Sequence, residues 1–131
     1  MEINPFHNGH EYFLSQIPKG EDDIIIAIIS TTIMQRGEFG VLNKHDKAKI
    51  LLNNNVDVVI ELPGIYSNQG GLHFAKHSLN HLKALGVNTL YFGSESNDIE
   101  KLISLSKKEI ENNFKSGIHV DALSDLKSND I

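Results

Sequence analysis

The run Asp23-Ile24-Ile25-Ile26-Ala27-Ile28-Ile29-Ser30 constrains this chain more than any other stretch. It is β-branched and apolar without alternation, so it suits burial on both faces at once, as in a parallel sheet. Two shorter runs follow, over residues 56–62, stopped by Pro63-Gly64, and over residues 88–93. Helical spacing lies between them. Residues 44–52 place Ala48, Leu51 and Leu52 at helical intervals, and residues 72–85 set Leu72, Ala75, Leu79 and Leu82 on one stripe before Gly86. After Glu95 the pattern is helical again, through Leu102, Leu105, Ile110 and Phe114. Strand–helix–strand alternation predicts an α/β fold with a doubly wound, Rossmann-like parallel sheet. Ligands of such sheets bind beyond the carboxyl ends of the strands.

One stretch before the first run is built for an anion. In Asn4-Pro5-Phe6-His7-Asn8-Gly9-His10, Pro5 disfavours helix at Asn4, and no breaker intervenes from Asn8 until Pro18. The motif therefore predicts a loop opening a helix, whose first turn offers free N–H groups and partial positive charge. His7 and His10 fall on one face of that turn, and Gly9 lets a ligand approach the backbone. Two surface histidines in a capping loop are the plain alternative.

The residues just past the strand runs add to this. Gln35-Arg36-Gly37-Glu38 carries the only arginine in a chain whose other cations are lysines. A guanidinium grips phosphate or carboxylate bidentately, which lysine does not. Gly93 and Ser94 would put bare backbone and a hydroxyl at the ligand edge, where Glu95 could cap the next helix or meet a ribose hydroxyl. His73, His77 and His81 share a helix face, but their neighbours are Lys76, Asn80 and Lys83 and no carboxylate joins them. A solvated polar face is expected there, and no metal site.

Composition narrows the class. The 131 residues suit one domain, and 40% hydrophobic with 22% charged residues is a globular balance. A net charge of −5 argues against a surface that holds nucleic acid mainly through its phosphates. No cysteine is present, which removes disulfides and thiolate chemistry and fits a cytoplasmic setting. No apolar run approaches the ~18–20 residues of a membrane span, and no signal-peptide layout opens the chain.

Four motifs in order, the Asn4–His10 heptapeptide, Gln35-Arg36-Gly37-Glu38, Glu61-Leu62-Pro63 and Phe92-Gly93-Ser94-Glu95, resemble those of the bacterial tRNA(Met) cytidine acetate ligases. These belong to the HIGH-type nucleotidyltransferase superfamily. The resemblance implies an ATP-dependent ligase that activates acetate as acetyl-adenylate. The acetyl group then passes to the wobble cytidine of elongator tRNA(Met), giving N4-acetylcytidine. It implies ATP contacts from Met1, Glu2, Ile3, Asn4, Pro5, Phe6, His7, Asn8, Gly9, His10, Glu11, Tyr12, Phe13 and Gly93. His7 and His10 would be catalytic, Gln35, Arg36 and Ser94 weaker phosphate or substrate contacts, and Mg2+ would be held mainly through the phosphates. A small-molecule adenylyl- or cytidylyltransferase and a catalytically inactive nucleotide- or RNA-binding remnant are the competing functions.

The chain also departs from that family. Ser30-Thr31-Thr32-Ile33-Met34 stands where the family has Ser-Gly-Asn-Phe. Only Met1-Glu2-Ile3 stand where the family has a first strand, and the helical tRNA-binding part would lie beyond the polar tail at residues 121–131. The expectation is a partial nucleotidyltransferase domain over residues 1–131 that lacks its tRNA-binding part. It is expected not to fold stably alone, or to do so only by borrowing a strand from a partner.

Overall fold

The computed structural model describes residues 1–69, 71–94 and 119–124. They fall into two compact units, Met1–Ala84 and Leu85–Ile131.

The first unit is built on two parallel strands, β1 (Ile26–Ser30) and β2 (Val58–Leu62), with Ile26 opposite Val58 and Ser30 opposite Leu62. Helix α2 (Lys44–Leu52) lies between them in sequence, as a parallel pair requires a crossover. Ala27, Ile28, Ile29 and Ser30 are all buried, which bears out the two-faced burial expected of this strand. Both strands start later than the apolar runs suggest. Ile25 N donates to the Asp57 carboxylate at 2.8 Å, and Asp57 also takes Lys19 Nζ at 2.7 Å. The runs' leading residues thus serve a polar clasp at the foot of the sheet, and Ile24 is exposed.

Helix α1 (Asn8–Ser15) precedes β1 and turns Leu14, followed by Ile17, into the core. Phe13 and His10 complete that stripe at the spacing of one helix face and are half-buried. In α2 the buried positions are Lys47 and Leu51. Leu52, expected on the core face with Ala48 and Leu51, is 49% exposed. A helix one residue out of phase with the predicted stripe explains the exchange.

The free edge of β1 is not bare. Asp57 N and Val58 N donate to Ile25 O, so this carbonyl faces β2. Carbonyls alternate along a strand, and Ile28 O therefore faces the other edge. There it accepts from the Met1 nitrogen at 2.7 Å, and Ile3 is fully buried. The short opening segment occupies the side where a first strand was expected.

Helices α3 (Gly64–Ser67) and α4 (Gly71–Ala84) complete the first unit. The expected solvated histidine face is only partly observed. His73 is exposed, whereas Tyr66 of α3 stacks on His77 at 4.2 Å and meets His81 edge-on at 5.7 Å. An aromatic ring from the preceding short helix covers imidazoles that sequence spacing leaves open.

In the second unit β3 (Thr89–Ser94) pairs in parallel with β4 (His119–Ser124). The α/β class with parallel strands is as expected, but among the described residues the strands form two separate pairs. Strand β4 runs into residues 121–131, which were expected to be only a polar tail. The helical pattern expected after Glu95 lies outside the described residues. No described helix is long and apolar enough to cross a membrane.

Leu51→Ala should cost about 2–5 kcal/mol, as deletions from a packed core do, and Leu52→Ala under about 0.5 kcal/mol. Denaturant unfolding of the two variants checks this. Equal losses would contradict the observed phase of α2.

Candidate functional site

The histidine motif makes the first turn of α1 by capping it with its own rings. His7 is the N-cap, with extended backbone (φ −143°, ψ 173°). Its Nδ1 accepts from Gly9 N at 3.1 Å, and its own N–H donates to His10 Nδ1 at 3.2 Å. Reciprocal caps of this kind are usually made by a hydroxyl and a carboxamide or carboxylate. The two rings lie 4.0 Å apart, and Phe6 stacks on His10 at 5.5 Å.

The partners assign the tautomers. A backbone N–H only donates, so Nδ1 is the acceptor nitrogen in both rings. A carbonyl only accepts, so His10 Nε2, 3.1 Å from Glu2 O, carries the proton. His10 is thus neutral, with both nitrogens engaged. Burial pushes its pKa below the ordinary 6.5, and the neighbouring His7 pushes the same way, against the smaller pull of the Glu2 carbonyl. His7 is exposed, and its Nε2–H has no partner among the described residues. The two rings thus differ: His7 has one ring nitrogen engaged, whereas both nitrogens of His10 are.

The other predicted residues of this segment lie around the cap. Asn4, joined to Pro5 by a cis peptide, accepts from Val41 N at 2.7 Å. Pro5, Asn8, Glu11 and Tyr12 are exposed, and Gly9 and Phe13 half-buried. Met1, Glu2 and Ile3 lead into the motif through the edge bond and the Glu2 carbonyl.

Gln35 and Arg36 stand at the tip of a small hairpin that follows β1. Ile33 and Phe39 bridge it, Met34 N donates to Glu38 O at 2.8 Å, and Gly37 N closes on Met34 O at 2.9 Å. Gly37 has φ +81°, a conformation that favours glycine at this turn. Arg36 is exposed. Gly93 and Ser94 end β3 in the second unit, opposite Leu123 and Ser124.

Sequence reasoning missed a second polar cluster, at the carboxyl ends of β1 and β2. Thr31 Oγ1 donates to the Glu61 carboxylate at 2.5 Å, and Lys44 Nζ donates to it at 3.2 Å. The Thr31 bond, and then Lys44, hold the Glu61 pKa below the usual carboxylate value. A pocket beside it is lined by Ile29, Thr31, Lys44, His45, Ala48, Val59 and Glu61, none of them a predicted site residue. The Glu61-Leu62-Pro63 motif was the available signal. Among the described residues no three His, Cys, Asp or Glu side chains are grouped to hold a metal ion.

Comparison with known proteins gives a consistent picture. The family model of the HIGH nucleotidyl transferases matches residues 1–126. The tRNA(Met) cytidine acetate ligase of Fusobacterium nucleatum is 47% identical over 114 residues, which are 82% of this chain and 29% of that protein. The enzyme of the same name from Lysinibacillus sphaericus is 43% identical over 105 residues, 79% of this chain and 26% of that protein. Among solved structures, Thermotoga maritima TmcAL bound with alpha-thio ATP superposes with a TM-score of 0.74 at 41% identity. That match covers 85% of this chain and 27% of the other. The chain thus spans less than a third of the length of these relatives.

A nitrogen-15 NMR titration should find His10 as the neutral Nε2–H tautomer at pH 7, with its midpoint below 6.5. Because the unfolded chain gains that proton first, this site should lower folding stability as the pH falls below about 6.5. A His10 imidazolium at pH 7 would contradict the assigned bonds.

Proposed function

This chain belongs to the HIGH nucleotidyltransferase family, and from that premise we propose that it is the adenylating part of an ATP-dependent ligase that activates acetate and acetylates the wobble cytidine of elongator tRNA(Met). The observation that carries the proposal is the capped histidine pair at the start of α1, with the His7 Nε2–H directed to no partner in the described chain. The names shared by the relatives supply the substrate class.

In this reading the triphosphate rests on the first turn of α1. An acetate oxygen attacks the α-phosphorus, and pyrophosphate leaves with the bonding pair of the broken P–O bond. Negative charge gathers on the α-phosphoryl oxygens as this happens. His7 donates from Nε2, the helix N-terminus adds its partial positive charge, and His10 joins when it leaves Glu2 O. Arg36 is an exposed cation on the neighbouring hairpin, suited to a phosphate, with Gln35 beside it as a further polar contact. The family resemblance also implies a nucleotide contact for Gly93 and a weaker phosphate or substrate contact for Ser94. Magnesium held mainly through the phosphates would supply charge neutralisation there. In the second step the cytidine N4 amine attacks the acetyl carbon, loses a proton, and AMP leaves. With a net charge of −5 this chain is poorly suited to hold tRNA alone, so the tRNA is gripped by other protein surface. A tRNA substrate places the reaction in the cytoplasm.

Acetate-dependent exchange of labelled pyrophosphate into ATP tests the first step. His7→Ala should slow it by about 10²–10³, some 3 kcal/mol of transition-state stabilisation. Exchange that ignores acetate but follows another acid points to a small-molecule nucleotidyltransferase. ATP binding without any exchange points to an inactive remnant. Full exchange in His7→Ala contradicts the role given to this ring.

A further inference from the structure

Lys47 is the one charged side chain among the described residues that is fully buried. Burying an ammonium costs several kcal/mol unless it is well compensated. Its strongest bond is not to a carboxylate. Nζ donates to Thr31 O at 2.7 Å and lies 4.0 Å from Met34 Sδ. Among the described residues the ion pairs are Lys19–Asp57 and Lys44–Glu61, and Lys47 is in neither. Desolvation lowers its pKa, and the charge of Glu2 opposes that shift.

The position of the ammonium is informative. Thr31 is the first residue past β1, where the Gln35–Arg36 hairpin begins. The hairpin returns to the same point: Gly40 N donates to Thr32 O at 2.9 Å. Gly40 is packed so closely that a Cβ there would stand 2.7 Å from both Lys47 Nζ and Thr31 O. The next residue, Val41, donates to Asn4 Oδ1 of the histidine loop at 2.7 Å. The ammonium is therefore the hub of a junction between the hairpin and the loop that holds His7 and His10.

We infer that Lys47 is a positioning residue: its buried ammonium, bonded to Thr31 O under Gly40, fixes the base of the Arg36 hairpin and, through Val41 and Asn4, the histidine loop. It touches no ligand, being wholly enclosed. Its consequence for nucleotide binding rests on the proposed function; its structural action does not.

Two readouts separate these claims in the 131-residue chain. The first is amide hydrogen exchange. Lys47→Met keeps length and apolar bulk but has no donor. It should speed exchange at Gly40 and Val41 by at least about tenfold, the worth of one charge-assisted hydrogen bond, and leave Leu51 in α2 unchanged. Lys47→Arg should recover most of the protection. Gly40→Ala, which keeps the lysine but crowds its ammonium, should reproduce the effect and serves if Lys47→Met fails to fold. Unchanged exchange at Gly40 and Val41 in either folded variant overturns the inference. The second readout is ATP affinity by calorimetry. It should fall about tenfold, or 1.4 kcal/mol, in Lys47→Met and return in Lys47→Arg. An unchanged affinity in folded Lys47→Met overturns the consequence for nucleotide binding. If the unaltered chain binds no ATP, the proposed function fails while the exchange result still decides the role of Lys47.

Discussion

The start of α1 is set by two imidazoles whose ring nitrogens accept from backbone N–H groups of its first turn and N-cap. His7 takes Gly9 N, and His10 takes His7 N. This exchange fixes where the helix begins and which nitrogen of each ring carries hydrogen. It also ties the loop to the opening segment, because the proton on His10 Nε2 meets Glu2 O. A residue that caps a helix with one ring nitrogen leaves the other for chemistry. In His7 that second nitrogen is exposed; in His10 it is spent on the opening segment. Two chemically identical side chains three residues apart therefore have different parts.

The carboxyl ends of the strands are held by polar ties of graded burial. At the rim, Glu61 gathers Thr31 and Lys44, both at distances that favour its charged form. The Lys44–Glu61 pair has side chains about half exposed, so it orders the rim more than it stabilises the fold. Deeper in, Lys47 has lost its water altogether. These ties surround the strand ends, where sheets of this class place their ligands. They hold loops whose few apolar anchors would not order them: Phe39 and Val41 are both exposed.

Much of the fold was legible in the sequence for simple reasons. The strand at Ile26–Ser30 is buried on both faces, so its composition announces it. The histidine loop was legible because Pro5 and Gly9 punctuate it. Other features were hidden by context. Strand ends were overestimated because Asp57 and Ile25 satisfy each other off the ladder. Strand β4 was missed because its apolar residues are interspersed with polar ones inside a polar stretch rather than forming a continuous run. Lys47 was invisible because a lysine in a helix reads as solvent-facing, and only tertiary packing can enclose it. His77 was assigned to water because Tyr66, eleven positions earlier, reaches it through a short helix that periodicity does not reveal.

In the proposed function a nucleotide triphosphate settles on the capped first turn of α1. Titrating ATP into the isotopically labelled chain and following amide and imidazole resonances tests it most directly. The Asn8, Gly9 and His10 amides and the His7 Nε2 should shift together and saturate with a single affinity. Shifts confined to Lys44, His45 and Glu61 around the neighbouring pocket, with the His7 ring unmoved, would contradict it.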